Sequence, residues 1–147
     1  MTTTRRPKLV SSMLWFACGV CLGDLLQPWS AVHARPTARV FEIRTYTAAE
    51  GKLAALHARF RDHTMALFEK HGMTNVAYFA PQDAPLKEHT LIYILAHPSR
   101  EAAERNWKAF HDDPEWQKVR AASEAQGPLT TKMESVFADP TDYSPMK

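Results

Sequence analysis

The sequence predicts an α+β domain with the ferredoxin-like order β-α-β-β-α-β. Three observations support this fold class: an alternating run over residues 40–46, an amphipathic stretch over residues 50–71, and a nearly continuous apolar run over residues 90–96. Alternation is typical of a strand with two unlike faces, whereas an apolar run indicates a central strand covered on both faces. We therefore expect a four-stranded antiparallel sheet with helices on one face.

The first strand, over residues 40–46, has two different faces. They consist of Phe41, Ile43 and Thr45 on one side and of Val40, Glu42, Arg44 and Tyr46 on the other. The second face is too apolar to remain in solvent and too polar for a dry core. We expect the helices to cover the first face, and the second face to line a partly polar cavity between two sheets of a dimer.

The first helix is predicted over residues 50–71 and ends at Gly72. At 100° per residue, its apolar stripe consists of Leu53, Leu56, Phe60, Thr64, Leu67 and Phe68. The side chains expected to point away from the stripe are Lys52, Arg59, Asp62 and Glu69. One face of this helix should therefore pack on the sheet.

The remaining elements follow in the order that the fold requires. Strands are predicted over residues 74–79, 90–96 and 132–137, and a second helix over residues 100–111. A short helix should begin after Asp113, with Asp113 as its N-cap and proline as its first residue. The helix residues expected to pack into the core are Ala103, Trp107, Phe110, Trp116 and Val119.

Residues 1–34 have the pattern of an export signal. A basic start with Arg5, Arg6 and Lys8 precedes an apolar run over residues 9–23, and small residues end the segment at Ala34. The twin arginine is compatible with the folded-protein export route, and general secretion fits equally well. We expect an exported domain over residues 35–147. An uncleaved inner-membrane anchor formed by residues 9–23 is the alternative.

Charge and cysteine content exclude several classes of function. The whole chain has a net charge of +2, and removing the leader leaves 15 basic and 15 acidic residues, which argues against a nucleic-acid partner. Both cysteines lie in the leader, so the remaining domain has neither a disulfide nor a thiol nucleophile. The sequence also lacks a Gly-x-Ser-x-Gly elbow and a glycine-rich phosphate loop.

Several separated blocks resemble the NIPSNAP family. They comprise residues 41–46, 51–53, 60–64, 68–73, 99–103, 113–116, 134–137 and 140–145. The resemblance covers about residues 39–145 and implies a dimeric α+β barrel, the fold shared with antibiotic-biosynthesis monooxygenases and chlorite-dismutase-like haem enzymes. It implies no settled activity, because the family is poorly defined by its chemistry.

The histidines do not predict a metal site. No two of them are spaced i, i+4 on a helix, as a zinc helix would require. Related barrels hold haem through a helical histidine, so the resemblance leaves His57, His71 and His111 as haem candidates. Apart from that alternative, we expect no cofactor and no metal.

A ligand cavity is the site that the sequence predicts best. Its candidate residues are Glu42, Arg44, Tyr46, Tyr78, His57 and Glu134. Glu42 and Arg44 are two residues apart on one strand face, where the guanidinium would orient an anionic ligand or form an ion pair at the dimer seam. We therefore expect a homodimeric module that binds a small organic ligand or a partner.

An enzyme is the alternative interpretation of the same cavity. A cofactor-independent oxygenase or isomerase would need only a bound organic molecule and a group that moves a proton. Convergence of Arg44, Tyr46 and a histidine on one closed pocket would favour this interpretation.

Overall fold

A computed structural model describes residues 39–146 of the chain, and the predicted leader lies outside them. The strands are β1 (Val40–Ala48), β2 (Thr74–Phe79), β3 (Thr90–His97) and β4 (Thr130–Ala138). The helices are α1 (Leu53–Arg59), a π-helical turn (Phe60–Thr64), α2 (Met65–Lys70), a short 3-10 turn (Leu86–Glu88), α3 (Arg100–Asp112) and α4 (Pro114–Ser123). The predicted element order is therefore confirmed.

The described residues form a four-stranded antiparallel sheet in the order β2-β3-β1-β4. The apolar strand β3 is central, as its composition predicts, and its register places Ile94 opposite Ile43 of β1. The helices lie against one face of the sheet, and an aromatic core of Phe60, Phe68 and Tyr93 fills the space between them. This is the ferredoxin-like α+β fold.

The two faces of β1 are the reverse of the prediction. The face that carries Glu42, Arg44 and Tyr46 points toward the helices, because the indole of Trp107 on α3 donates a hydrogen bond to Glu42. Among residues 39–146, no helix covers the opposite face, which carries Ile43 and is called the uncovered face below. Alternation shows that β1 has two different faces, but it does not show which of them turns toward the helices. The polar face can lie inside because the fold itself supplies donors for the carboxylate.

The uncovered face of the sheet carries several exposed apolar side chains, beside one exposed ion pair of β4. Ile43 is 38% exposed, and Val136, its neighbour on β4, is 61% exposed. Phe79 on β2 is 51% exposed, and its register partner Ile92 belongs to the same face. Large apolar side chains clustered on one face of a sheet are typical of a surface that another body covers.

The first predicted helix contains a π-helical turn that the periodicity does not reveal. The Thr64 hydroxyl donates to the carbonyl of Arg59 at 3.1 Å, five residues earlier, which satisfies a backbone acceptor within this turn. The extra residue per turn rotates the helix surface. Arg59, which is predicted to point away from the stripe, precedes this turn and is only 6% exposed, because it lies three residues after Leu56 at the edge of the stripe and its guanidinium binds Glu124.

The predicted helix boundaries around α3 and α4 are confirmed. The Ser99 hydroxyl accepts from the backbone N–H of Ala102 at 3.1 Å and caps α3. Asp113 accepts from the backbone N–H of Glu115 at 2.8 Å and caps α4, with Pro114 as the first helical residue. Within residues 39–146, no helix is long and apolar enough to cross a membrane.

Candidate functional site

A cavity of about 160 Å³ lies between the helices and the β1–β4 side of the sheet. Six aromatic side chains line it, namely Tyr46, Phe60, Phe68, Trp107, Phe110 and Trp116. The polar lining consists of Arg44, Arg59, Thr64, His111, Arg120, Glu124 and Thr130, and Met133 on β4 completes it. A small concave site with aromatic walls and a few polar groups is the usual form of an organic ligand site.

Glu42 lies behind this cavity at the centre of a hydrogen-bond network. Its side chain is 1% exposed. The indole of Trp107 donates to Oε2 at 2.7 Å, and Nε2 of His97 donates to the same oxygen at 3.0 Å. The hydroxyl of Ser135 donates to Oε1 at 2.6 Å, and Nη1 of Arg44 also donates to Oε1. Three strands and α3 therefore meet at one carboxylate.

The network keeps Glu42 ionised. Burial by itself would raise the pKa of this carboxyl, but the hydrogen bonds from His97, Ser135 and Trp107 and the charge of Arg44 lower it to about 2. These hydrogen bonds are made to the ionised carboxylate. They therefore stabilise its negative charge and also fix the orientation of the donor side chains. Glu42 is a fixed anion at neutral pH.

Arg44 presents its guanidinium to the cavity. The group lies over the ring of Trp107, with 4.3 Å from Cζ to the ring centroid, and 5.4 Å from that of Tyr46. Nη2 donates to the Tyr46 hydroxyl at 3.3 Å, whereas buried Nε has no hydrogen-bond partner among residues 39–146. Burial opposes the charge, but Tyr93, Tyr46 and Glu42 together raise the pKa of Arg44. The guanidinium is a permanent cation.

A second ionic group also lines the cavity. Nη1 of Arg59 binds Oε1 of Glu124 at 2.9 Å, and Nε of Arg120 binds Oε2 at 3.1 Å. Burial raises the pKa of Glu124, but hydrogen bonds and charge from these two arginines outweigh it and lower the pKa. One carboxylate thus serves two guanidinium groups.

His111 is the titratable base of the cavity. Its ring stacks on Trp107, with 5.6 Å between centroids and 28° between planes. Partial burial and the positive charges of Arg44 and Arg120 lower its pKa, although Asp112 acts in the opposite sense. The neutral imidazole is therefore favoured at neutral pH.

The structure separates the six side chains predicted for one cavity. Arg44 and Tyr46 line it, with Glu42 directly behind. Tyr78 and His57 instead line a separate cleft of about 350 Å³, and the Tyr78 hydroxyl donates to Oδ1 of Asn75 at 2.5 Å. Burial, with the charges of Glu69 and Tyr46, raises the pKa of Tyr78.

Glu134 is on the other face of the sheet. Its register partner on β1 is Thr45, and its carboxylate pairs with exposed Lys132 at 2.8 Å. The prediction that Glu134 lines the same cavity as Arg44 and Tyr46 is wrong, because Glu134 lies on the opposite face of the sheet from them.

Several cavity residues carry weaker sequence signals. Trp107 is predicted to pack in the core, and its indole also contacts both Glu42 and Arg44. Arg59 is predicted to point to solvent, because a charged side chain at the edge of an apolar stripe is usually exposed. The i, i+4 pair of Arg120 and Glu124 is visible in the sequence, but the same spacing is common on ordinary helix surfaces.

The histidines proposed as haem ligands are not grouped. Nε2 of His71 donates to Oδ2 of Asp113 at 2.7 Å, His57 lies in the separate cleft, and of the three only His111 lines the aromatic cavity. A cavity of about 150 Å³ accepts a benzene-sized molecule, so the space beside His111 does not fit a haem macrocycle. Within the described residues, no cluster of three His, Cys, Asp or Glu side chains could hold a metal ion.

The sequence profile of the NIPSNAP family matches residues 41–145. A comparison with curated proteins gives no match. Among solved structures, a NIPSNAP family protein of unknown function from Agrobacterium tumefaciens is similar, with 22% identity and a TM-score of 0.66 over 79% of this chain and 100% of that chain.

Two oxygenase structures also share the fold. The monooxygenase ActVA-Orf6 of Streptomyces coelicolor, in complex with nanaomycin D, has 17% identity and a TM-score of 0.53 over 75% of this chain and 94% of that chain. SnoaB, a cofactor-independent oxygenase from Streptomyces nogalater, has 17% identity and a TM-score of 0.50, covering 74% and 98% of the two chains. At this identity the likeness concerns the fold alone.

Proposed function

The chain belongs to the NIPSNAP family, and from that premise we propose that it is a homodimeric protein that binds a small organic ligand in the helix-side cavity. The observation that supports this function is the combination of six aromatic side chains with a partly buried, oriented Arg44 around one cavity. Arg44 is held by Glu42 and Trp107 before any ligand arrives, so little side-chain entropy is lost on binding.

Native mass spectrometry tests the binding function. The full chain is purified from its own cells without denaturation, and we expect a retained mass that dissociates when the protein is unfolded. Met133→Trp should abolish the retained mass, because a larger side chain at this 58% exposed cavity residue fills the opening. Met133→Leu, of similar volume, is the matched control. Wild-type protein that carries no ligand and a Trp variant identical to it would contradict the proposal.

The dimer is proposed from the uncovered sheet face. Ile43, Val136 and Phe79 expose large apolar area on that face, and a second copy of the same sheet would cover it. Light scattering should therefore give twice the mass of the chain. A monomer at every concentration would exclude this arrangement.

We also propose export, because residues 1–34 combine a basic start, a short apolar run and a small-residue end. Mass spectrometry of protein from the native host should find an N-terminus near Arg35, with the protein in the periplasm or medium. An intact Met1 form in the inner membrane would instead support the uncleaved anchor.

A cofactor-independent oxygenase or isomerase is the second candidate function. The observation that favours it is that Arg44, Tyr46 and His111 line one cavity, so a base and a cation would face the same bound molecule. Neutral His111 could remove a proton while Arg44 stabilises the resulting anion. His111→Ala should then retain the ligand and stop its conversion. Recovery of an unaltered ligand from the wild-type protein in air would favour binding without turnover.

A further inference from the structure

The cavity has more positive than negative charge among the described residues. The guanidinium groups of Arg44, Arg59 and Arg120 line it, and Glu124 is the lining carboxylate. Arg59 and Arg120 share that one carboxylate. When the nearby carboxylate of Glu42 is counted as well, three guanidinium groups stand against two carboxylates. The space is therefore complementary to an anion.

Arg44 has donor capacity that its protein contacts do not use. Nη1 binds Glu42, but the bond from Nη2 to the neutral hydroxyl of Tyr46 is long, at 3.3 Å. Nε is unpartnered within the part of the chain that the structure describes. A carboxylate oxygen is a stronger acceptor for a guanidinium than a phenol oxygen. An anionic ligand group would thus improve on the contact that Nη2 now makes.

The surfaces around Arg44 are flat and aromatic. Trp107 lies beneath the guanidinium and against His111, and its ring meets Phe68 edge to face with 5.3 Å between centroids. Phe110 and Trp116 form a second aromatic pair at 4.4 Å. Such surfaces favour a planar ring over an aliphatic chain. The volume of about 160 Å³ limits that ring to one or two fused cycles.

We propose that the cavity selects a planar aromatic carboxylate of one or two rings, with the carboxylate on the Arg44 guanidinium and the ring against the aromatic side chains that line the cavity. This inference rests on the proposed function, namely that the cavity holds a ligand. It adds the chemical class of that ligand.

Isothermal titration calorimetry with matched probes tests the proposal on the full chain. The probes are 2-naphthoate, its neutral counterpart 2-naphthamide, and acetate, which keeps the charge without the ring. We expect 2-naphthoate to bind about ten-fold or more tightly than 2-naphthamide, because a charge-assisted hydrogen bond replaces a neutral one. Acetate should bind too weakly to measure. Added salt should weaken the binding of 2-naphthoate and leave the binding of 2-naphthamide unchanged.

A paired variant locates the selectivity at Arg44. Arg44→Gln alone would leave the Glu42 carboxylate buried without its cation, so the variant is Glu42→Gln together with Arg44→Gln. It should lower the preference for naphthoate over naphthamide to within about two-fold. Arg105→Gln, on the exposed face of α3, is the control and should keep the wild-type preference. The wild-type comparison needs no variant and decides the question even if the paired variant does not fold.

The outcomes separate the two proposals. Equal binding of naphthoate and naphthamide would overturn the proposed selectivity for an anion, but it would still support the proposal that the cavity binds a ligand. Failure of both ring probes to bind at millimolar concentration would contradict the cavity function as well. A naphthoate preference that survives in the folded paired variant would overturn the role given to Arg44.

Discussion

The indole Nε1 of Trp107 donates a 2.7 Å hydrogen bond to Oε2 of Glu42, which joins helix α3 to strand β1. The face of the same indole supports the guanidinium of Arg44. One tryptophan therefore contacts both members of the buried ion pair, one through its N–H and the other through its ring. This arrangement fixes the plane of Arg44 at the edge of the cavity, so the carboxylate is a positioning group for the cavity cation.

We expect Glu42→Gln to lower the free energy of unfolding at pH 7 by about 3 kcal/mol, the lower part of the range for breaking a buried ion pair. Arg44 retains some access to water, with its side chain 16% exposed, and this limits the loss. Urea denaturation followed by circular dichroism measures the effect. Glu104→Gln removes an exposed carboxylate of α3, 71% accessible, and should change stability by less than about 0.5 kcal/mol. Similar losses in both variants would contradict a special role for Glu42.

Acid should destabilise the protein partly through Glu42. The pKa of this carboxyl falls from an ordinary value of 4.5 to about 2 in the folded chain, so its stabilising contribution is complete above about pH 5 and is lost as the pH falls toward 2. The depressed pKa corresponds to about 3 kcal/mol over that window.

Denaturation curves between pH 7 and pH 2 measure this contribution as a difference. The gap in stability between wild type and Glu42→Gln should shrink from about 3 kcal/mol to less than about 1 kcal/mol, because a protonated glutamate resembles glutamine. Other carboxyls with lowered pKa values, such as Asp113 and Glu124, remain in both proteins and cancel. A gap that stays constant with pH would show that Glu42 does not titrate in this window.

The sequence correctly predicts the helices and strands of this fold, but it does not predict which face of β1 packs against the helices. Alternation, apolar runs and capping residues are local signals, and the strands, α3 and the caps at Ser99 and Asp113 agree with them. Which face of β1 turns inward depends on partners distant in sequence. Glu42 is buried because His97, Trp107 and Ser135 lie 55, 65 and 93 residues away in the chain and converge on it. No periodicity encodes that convergence.

The candidate site was predictable in part for the same reason. Arg44 and Tyr46 could be identified because they share a strand face with Glu42. Trp107 has the spacing of a core residue, and its contact with the ion pair depends on the packing of α3 against the sheet. Arg59 lines the cavity because its guanidinium binds Glu124, which lies 65 residues later in the chain. Alternation along a strand can predict site residues that share one strand face. It cannot predict the residues that tertiary packing brings to the site from other elements.

Binding of an aromatic carboxylate should raise the pKa of His111. In the free protein partial burial and the nearby charges of Arg44 and Arg120 lower this pKa. An anion in the cavity offsets those charges and stabilises the imidazolium. Proton NMR titration of the His111 ring, assigned with a His111→Gln variant, measures the shift with and without 2-naphthoate. Saturation with 2-naphthamide is the control, and a rise of equal size with the amide would assign the effect to packing instead of charge.

The last prediction concerns two residues on opposite faces of β4. Val136 and Met133 are similarly exposed, at 61% and 58%, but Val136 neighbours Ile43 on the uncovered face and Met133 neighbours Tyr46 beside the cavity. If a second copy covers the uncovered face, Val136→Glu buries an unpaired charge there and should weaken the dimer about 100-fold, or about 3 kcal/mol. Met133→Glu should leave dimerisation unchanged and impair only the cavity. Light scattering across a dilution series distinguishes the variants, and a Met133 variant that dissociates as readily as the Val136 variant would place the dimer contact elsewhere.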